Sequence, residues 1–292
     1  IILVDDSPAG YPGTLNAVRR FARDYGKELH ALRSTLYGGA LKPTRATARQ
    51  TAIDAFLDNF SSEKFLLFLD DDFILKPGWT VDFIRSSGYE SPTFGMFWGV
   101  NWDSTDSRRK WLNVVGVDYE AYLVREFFKR GGEHDTVHSR ASLRGVREKI
   151  GRIPHDLHIY EDAYLIHATI KAGYTVNVGR TGGIHMNPWD MENMADKEWP
   201  YILRAAFKYG IPAFDLDSVG YSGLMRPVLG IVPALYYDVR AFGVEKGVVR
   251  AFKRQYLKLK WRWTVIKQLQ DPANRETLED MRRDPYSRLK GE

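Results

Sequence analysis

Three consecutive carboxylates stand where an α/β protein commonly binds a ligand. Asp70, Asp71 and Asp72 directly follow five apolar residues, 65–69, a run that predicts a strand covered on both faces. Ligands of open α/β sheets bind at the carboxyl ends of strands. Adjacent negative charges are unfavourable unless a cation neutralises them, and Mg²⁺ and Mn²⁺ prefer oxygen ligands. Because Asp70 and Asp72 lie on the same side of an extended chain, we expect both to bind one such ion. The alternative is a solvated acidic turn.

Two further features could take part in the same chemistry. Glu161 and Asp162 open a predicted helix over 160–172. Acidic residues in a first turn also stabilise a helix through its dipole, so this pair has a purely structural alternative. His185 follows a predicted strand and a pair of glycines, and a neutral imidazole there could complete the shell of a metal ion. A single histidine can equally be structural.

The elements around these residues alternate between strands and helices, which predicts an α/β fold. Residues 1–4 and 174–178 read as strands, and 94–100 and 111–124 alternate enough to join the same sheet. Helices are predicted at 15–25, at 44–59 and after Pro77-Gly78-Trp79, and 125–156 is interpreted as mostly a mobile loop. The chain opens abruptly on a strand, so we expect that preceding residues are missing from the sequence.

The composition limits the kinds of site and partner. The chain has 292 residues and no cysteine, so a metal would be held by oxygen or imidazole. The formal net charge is +5, yet 246–267 alone contains eight Lys or Arg and no Asp or Glu. This local basic segment indicates an anionic partner. No run of about 18 apolar residues is present, so any contact with a membrane would be peripheral.

Two helical segments are predicted in the tail, at about 226–242 and 245–270. In the second, apolar residues recur at intervals of 3 or 4 and trace one face, with basic residues on the others. That face consists of Phe252, Tyr256, Leu259, Trp263 and Ile266. A basic amphipathic helix with aromatic residues is typical of an interfacial membrane helix. The alternative is a helix that docks on the rest of the protein with a solvated basic face.

The order of the motifs resembles the family 2 glycosyltransferases of the GT-A fold over roughly 1–190. The resemblance rests on short segments in the correct order. They are Val4-Asp5-Asp6-Ser7, Ala48-Arg49-Gln50, Phe68-Leu69-Asp70-Asp71-Asp72 with Pro77-Gly78, Glu161-Asp162 with Leu165, and Gly173-Tyr174. It implies a Rossmann-like, mainly parallel mixed sheet flanked by helices in a catalytic domain over 1–215. The pattern of the tail adds a C-terminal helical amphipathic extension over 216–292. Two positions depart from the family pattern, since Gln50 and His167 stand where Asn and Arg are common.

The resemblance also implies roles for individual residues. Asp5 or Asp6 would contact the nucleotide base, Arg49 would lie near the donor, and Glu161 would neighbour the general base Asp162. Asp70 and Asp72 would bind the metal and, with Asp71, the ribose or diphosphate of the donor, and His185 would be a late metal or phosphate contact. These roles belong to a Mn²⁺- or Mg²⁺-dependent inverting transferase with a UDP- or GDP-sugar donor. We expect a glycan or lipid-linked acceptor and a cytoplasmic enzyme attached peripherally to the cytoplasmic face of an anionic membrane.

Three alternatives remain open at this point. A phosphatase or phosphotransferase could use the Asp cluster, although such enzymes need Thr or Val after the second Asp and Phe73 follows here. A nucleotidyltransferase is a second possibility. A nucleic-acid-binding protein could use the basic tail, but that segment carries an apolar aromatic face and no RNA- or DNA-binding module is evident, so no nucleic acid is expected.

Overall fold

A computed structural model describes residues 1–5, 13–70, 73–99, 102–103, 106–130, 135–186, 199–212 and 221–292. The protein is a mixed α/β fold with a partly parallel sheet. The described strands are β1 (Ile2–Asp5), β2 (His30–Arg33), β3 (Phe65–Leu69), β4 (Phe73–Leu75), β5 (Phe94–Trp98), β6 (Trp102–Asp103), β7 (Asp135–Ser139), β8 (Thr175–Val178) and β9 (Gly183–His185). The described helices are α1 (Gly13–Asp24), α2 (Arg45–Asn59), α3 (Trp79–Ser86), α4 (Asp106–Val114), α5 (Tyr119–Arg130), α6 (Arg140–Lys149), α7 (Glu161–Lys171), α8 (Trp199–Tyr209), α9 (Tyr221–Leu229), α10 (Ile231–Phe242), α11 (Val244–Gln268) and α12 (Pro272–Arg283).

The main sheet has the strand order β3-β7-β5-β8. Strand β7 is antiparallel to both of its neighbours, whereas β5 and β8 are parallel. A separate parallel pair joins β1 to β2, and a small sheet of order β4-β9-β6 follows the acidic motif. The strands and helices predicted at the start of the chain, at 44–59, at 65–69 and at 160–178 are confirmed.

Strand β3 is less buried than its apolar sequence predicts. It is an edge strand of the four-stranded sheet, and Leu67 and Leu69 are 42% and 49% exposed. Leu66 and Phe68, on the opposite face, pack against the core formed with α2, α6 and α7. The prediction of a strand covered on both faces is therefore wrong, because an apolar run does not show which face the helices cover.

The region between 106 and 149 differs most from the prediction. Residues 111–124, predicted as a strand, lie in α4 and α5, and 125–156, predicted as a loop, contains the end of α5, all of β7 and α6. Tyr119, Leu123 and Phe127 recur every four residues and pack in a cluster with Trp98 and Ile166. This helical spacing explains why the segment forms helices rather than strands.

The C-terminal helices pack on the α/β core and on one another. Leu203 and Phe207 of α8 lie in a cluster with Val265 of α11 and with Leu278 and Met281 of α12, a helix that the sequence pattern did not predict. The predicted helices at 226–242 and 245–270 correspond to α9, α10 and α11. Within the described part of the chain, none of the helices has the length and apolar character that a bilayer span requires.

Candidate functional site

Arg49 connects the strand that leads into the acidic motif with the helix that carries Glu161. It lies on α2, whose first turn is fixed by a reciprocal capping interaction between Thr44 and Thr47. The guanidinium carbon of Arg49 lies 5.0 Å from the ring centroid of Phe68 on β3. Its Nη2 atom is 3.4 Å from Oε1 of Glu161 on α7. Arg49 therefore links β3 to the start of α7.

Glu161 is a buried carboxyl group at the start of α7. Burial raises its pKa above the usual range, and the neighbouring Asp162 raises it further, while Arg49, a backbone hydrogen bond and Arg45 oppose the shift. The residue before it, Tyr160, has φ 81° and is the only described non-glycine residue with positive φ. A tyrosine in that region is strained, and such strain is found preferentially at functional sites.

Asp162 is the partly exposed member of the pair. The backbone N–H of Ala163 donates to its Oδ1 atom at 2.7 Å, which helps to orient the carboxylate at the first turn of α7. Its side chain retains solvent exposure, whereas Glu161 does not. Of the two neighbouring acids, Asp162 is thus the one placed to meet a ligand.

Asp70 lies immediately beyond β3 and near a second, fully buried carboxyl group. Leu69 pairs with Asp135 of β7, and the negative charge of Asp70 raises the pKa of Asp135. Burial is the largest cause of that shift, and together these effects raise the pKa of Asp135 to about 8 against the opposing hydrogen bond from Trp79. The indole Nε1 of Trp79 donates to Oδ2 of Asp135 at 2.7 Å.

The backbone of Gly99 packs closely against the side chains of Asp135 and Trp79. A Cβ atom at this position would lie 2.6 Å from Oδ2 of Asp135 and 2.8 Å from Nε1 of Trp79. Both distances are shorter than real contacts of a Cβ atom, so only glycine lets the backbone approach the hydrogen-bonded pair. The backbone at Gly99 thus closes one side of the Trp79–Asp135 hydrogen bond.

The backbone of His185 lies beside the acidic motif. In the antiparallel pairing of β4 with β9, His185 is opposite Phe73, the residue that follows Asp72. The loop before β9 is anchored on α3, because the backbone N–H groups of Arg180 and Thr181 donate to Oδ2 of Asp82. Asp71 and Asp72 lie outside the described residues, as does the side chain of His185.

Asp5 lies in another sheet. It ends β1 and pairs with Arg33 of β2, with 3.3 Å between Oδ2 and Nη1. Asp6, its predicted companion, lies outside the described residues. The structure thus brings Arg49, Glu161 and Asp162 together near the end of β3, whereas Asp5 belongs to the β1–β2 pair.

Asp135 is the residue of this region that sequence reasoning missed. It fell within the segment interpreted as a loop, although Asp135-Thr136-Val137-His138-Ser139 contains two β-branched residues in a run of strand length. Its polar residues are not typical of a buried strand, yet all five positions are buried in the inner strand between β3 and β5. The two β-branched residues were therefore only a weak indication of a strand.

The donor set at the end of β3 suits a hard cation. Asp70 supplies carboxylate oxygens, and its negative charge disfavours ionisation of Asp135, an effect that a bound cation would relieve. The described residues do not by themselves contain a group of three potential metal ligands. The other predicted ligands, Asp72 and His185, have side chains outside the described residues, so a Mg²⁺ or Mn²⁺ site remains a prediction.

Comparison with known proteins adds no functional assignment. No protein-family model matches the chain, and no curated protein matches it. A crystal structure described as that of a mycobacterial protein is similar, with a TM-score of 0.43 and 14% sequence identity, covering 76% of this chain and 70% of that chain. A similarity at this level carries no inference about activity.

Proposed function

We propose that this protein is a metal-dependent inverting glycosyltransferase of the GT-A fold. It would transfer a sugar from a UDP- or GDP-linked donor to a hydroxyl group of a lipid-linked or membrane-proximal glycan. A mixed sheet flanked by helices is compatible with that fold. The donor would bind at the end of β3 and the acceptor near the start of α7.

The observation that carries the proposal is the position of Arg49 between two acidic motifs. It stacks on Phe68, two residues before Asp70, and pairs with Glu161, the neighbour of Asp162. Glycosyl transfer requires one group of carboxylates near the leaving diphosphate and a separate acid that accepts a proton. The two motifs would supply these groups, and the contacts of Arg49 with both β3 and α7 support the proposal.

The proposed reaction is a single displacement. The acceptor oxygen forms a bond to the anomeric carbon of the donor as the bond from that carbon to the diphosphate breaks. The proton of the acceptor hydroxyl passes to the carboxylate of Asp162, and the electron pair of the broken bond leaves with the nucleoside diphosphate. Attack opposite the leaving group inverts the configuration at the anomeric carbon.

The remaining predicted residues would bind and orient the donor. Asp70 and Asp72, with His185, would hold a Mn²⁺ or Mg²⁺ ion, which as a Lewis acid stabilises negative charge on the departing diphosphate. Asp71 would contact the ribose or diphosphate, and Asp5 or Asp6 the base. Arg49 acts as a positioning residue, because its ion pair and its contact with Phe68 hold α7 against β3.

The C-terminal helices provide a surface suited to an anionic membrane, and we include such attachment at the cytoplasmic face in the proposal. Phe252, Tyr256 and Trp263 of α11 are 58%, 62% and 48% exposed. Ile266, predicted on the same face, is buried instead because it faces the protein. Exposed aromatic rings beside basic side chains are typical of interfacial helices.

A screen of nucleotide-sugars with and without Mn²⁺ tests the proposed reaction. One UDP- or GDP-sugar should raise the melting temperature only with the ion, and the protein should then slowly release UDP or GDP. Asp72→Asn should abolish both effects, whereas Asp24→Asn, at an exposed position on α1, should change neither. Full turnover in EDTA or in Asp72→Asn would contradict metal dependence. Release of pyrophosphate from a nucleoside triphosphate and a sugar phosphate would instead identify a nucleotidyltransferase.

A further inference from the structure

A cavity among the C-terminal helices is lined by a group of cationic side chains. It lies between α4, α9, α10 and α11 and has a volume of about 240 Å³. Its lining includes Arg226, Arg254, Lys258 and Arg262, together with the aromatic residues Trp111 and Tyr237. The described residues that line it include no carboxylate. The cavity therefore presents concentrated positive charge.

A carboxylate of α10 is paired with one of these cations. Asp238 of α10 is buried and lies 2.9 Å from Nη2 of Arg254. Arg254 is also fixed from another side, since its guanidinium carbon lies 4.5 Å from the ring centroid of Trp111. The Nε atom of Arg254 is buried without a hydrogen-bond partner among the described residues. Asp238 and Trp111 thus hold the Arg254 guanidinium in place at the wall of the cavity.

The neighbouring positive charges of the cavity repel one another. Desolvation lowers the pKa of Lys258, and the guanidinium groups of Arg254 and Arg262 lower it further, while Asp238 opposes the shift. Desolvation and the charge of Arg226 likewise lower the pKa of Arg262. Only Arg254 is largely buried, with 14% of its side chain exposed, whereas Arg226 and Lys258 are exposed. A bound anion would relieve the repulsion among these like charges.

We propose that this cavity is a binding site for a phosphate group, either as a free anion or as the headgroup of a lipid phosphate. Arginine and lysine side chains donate several charge-assisted hydrogen bonds to phosphate oxygens, and the fork of arginine matches their geometry. The volume exceeds that of one water molecule several-fold, so a phosphate group has room. The inference is independent of the active site at the end of β3.

The site is distinct from the exposed aromatic face of α11. Arg254, Lys258 and Arg262 are spaced four residues apart and face α9 and α10, whereas Phe252 and Trp263 are exposed. Substitutions in the cavity and on the aromatic face can therefore be made independently.

Calorimetric titration of the full chain with inorganic phosphate tests the free anion, with sodium chloride at matched ionic strength as the reference. Saturable binding should weaken at least about tenfold in Lys258→Gln and in Arg262→Gln, since each loses a charged hydrogen-bond donor. Lys246→Gln, exposed on the same helix and outside the cavity, should retain the affinity. Thermal unfolding of each variant verifies that the fold is retained.

Vesicle sedimentation separates the two sources of the phosphate group. Vesicles of phosphatidylcholine with phosphatidic acid are compared with vesicles that carry the same negative charge as oleate. A preference for phosphatidic acid that falls about tenfold in Lys258→Gln, but not in Lys246→Gln, would assign a lipid headgroup. Saturable binding of inorganic phosphate with the same dependence would assign a free anion. If neither probe binds, or if Lys246→Gln loses as much affinity as Lys258→Gln, the proposal is wrong.

Discussion

Arg49 and Glu161 join α2 to α7 through a largely buried ion pair, with 3.4 Å between Nη2 and Oε1. Removal of one partner from such a pair leaves an uncompensated buried charge, which costs about 3–5 kcal/mol. We therefore expect Arg49→Ala to lower the free energy of unfolding by about 3 kcal/mol near pH 8. The loss should be smaller near pH 5.5, because Glu161, whose pKa is already raised by burial, then becomes protonated. Urea denaturation at the two pH values measures both effects.

A double variant separates the ion pair from the packing of Arg49 on Phe68. Arg49→Ala combined with Glu161→Gln should recover part of the stability near pH 8, because the neutral amide carries no buried charge. If the double variant is as unstable as Arg49→Ala at both pH values, the lost contact with Phe68 explains the effect and the ion pair does not.

Asp135 should make the protein less stable as the pH rises. Its pKa is raised from 3.8 to about 8, so the folded protein keeps a proton that the unfolded chain has released. The unfolded state then binds fewer protons, and stability falls as the pH increases from about 4 to about 8. We expect a decrease of a few kcal/mol in metal-free buffer. Asp135→Asn should flatten this dependence, since the amide oxygen can still accept the hydrogen bond from Trp79.

Urea denaturation in EDTA between about pH 5 and pH 8.5 measures this dependence. Asp118→Asn is a suitable control, because Asp118 lies in an exposed turn before α5. An unchanged pH dependence in Asp135→Asn would mean that other groups, such as Glu161, determine it.

The neighbouring acids on α7 should have separable roles. If Asp162 is the catalytic base, Asp162→Asn should lower kcat by about 100-fold or more while the affinity for the donor and the metal remains nearly intact. Glu161→Gln should instead change stability, because Glu161 is buried against Arg49. Single-turnover kinetics and donor titration measure these quantities. Loss of donor affinity with a normal kcat in Asp162→Asn would make Asp162 a binding residue.

Local patterns in the sequence were sufficient to predict β3 and α7, the strand and the helix that carry the proposed site. The apolar run 65–69 and the helix opened by Glu161 have patterns that depend on nearby residues, and both lie where predicted. The approach of Arg49 to Glu161 was not predicted by spacing, because 112 residues separate them. Such a contact depends on how α2 and α7 pack on β3.

Strand β7 shows why the rest of the site was not predictable. Four of its five residues are polar or charged, yet all are buried in this inner strand between β3 and β5. A sequence pattern reports the average environment of a residue type and not the position of a strand within a sheet. Asp135 and its hydrogen bond with Trp79 could therefore be identified only from the fold.

The membrane prediction concerns the exposed aromatic side chains of α11. Each basic residue near an anionic surface contributes about 1 kcal/mol, a contribution that salt weakens, whereas burial of Phe252 and Trp263 is not screened by salt. Binding to anionic vesicles should therefore fall with added salt without vanishing. Phe252→Ser combined with Trp263→Ser should release the remainder, as vesicle sedimentation at increasing salt would measure.

These two substitutions test the membrane surface better than deletion of the tail. Deletion from residue 226 would expose Leu203 and Phe207 of α8, which pack on Val265 and on α12. Phe252→Ser and Trp263→Ser alter exposed positions, so the fold should persist, and activity on a short soluble acceptor should stay unchanged while activity on a lipid-linked acceptor falls. Lys246→Gln is the control, since it removes one charge and no aromatic contact. If the double variant retains its vesicle binding at high salt, the aromatic face does not contact the membrane.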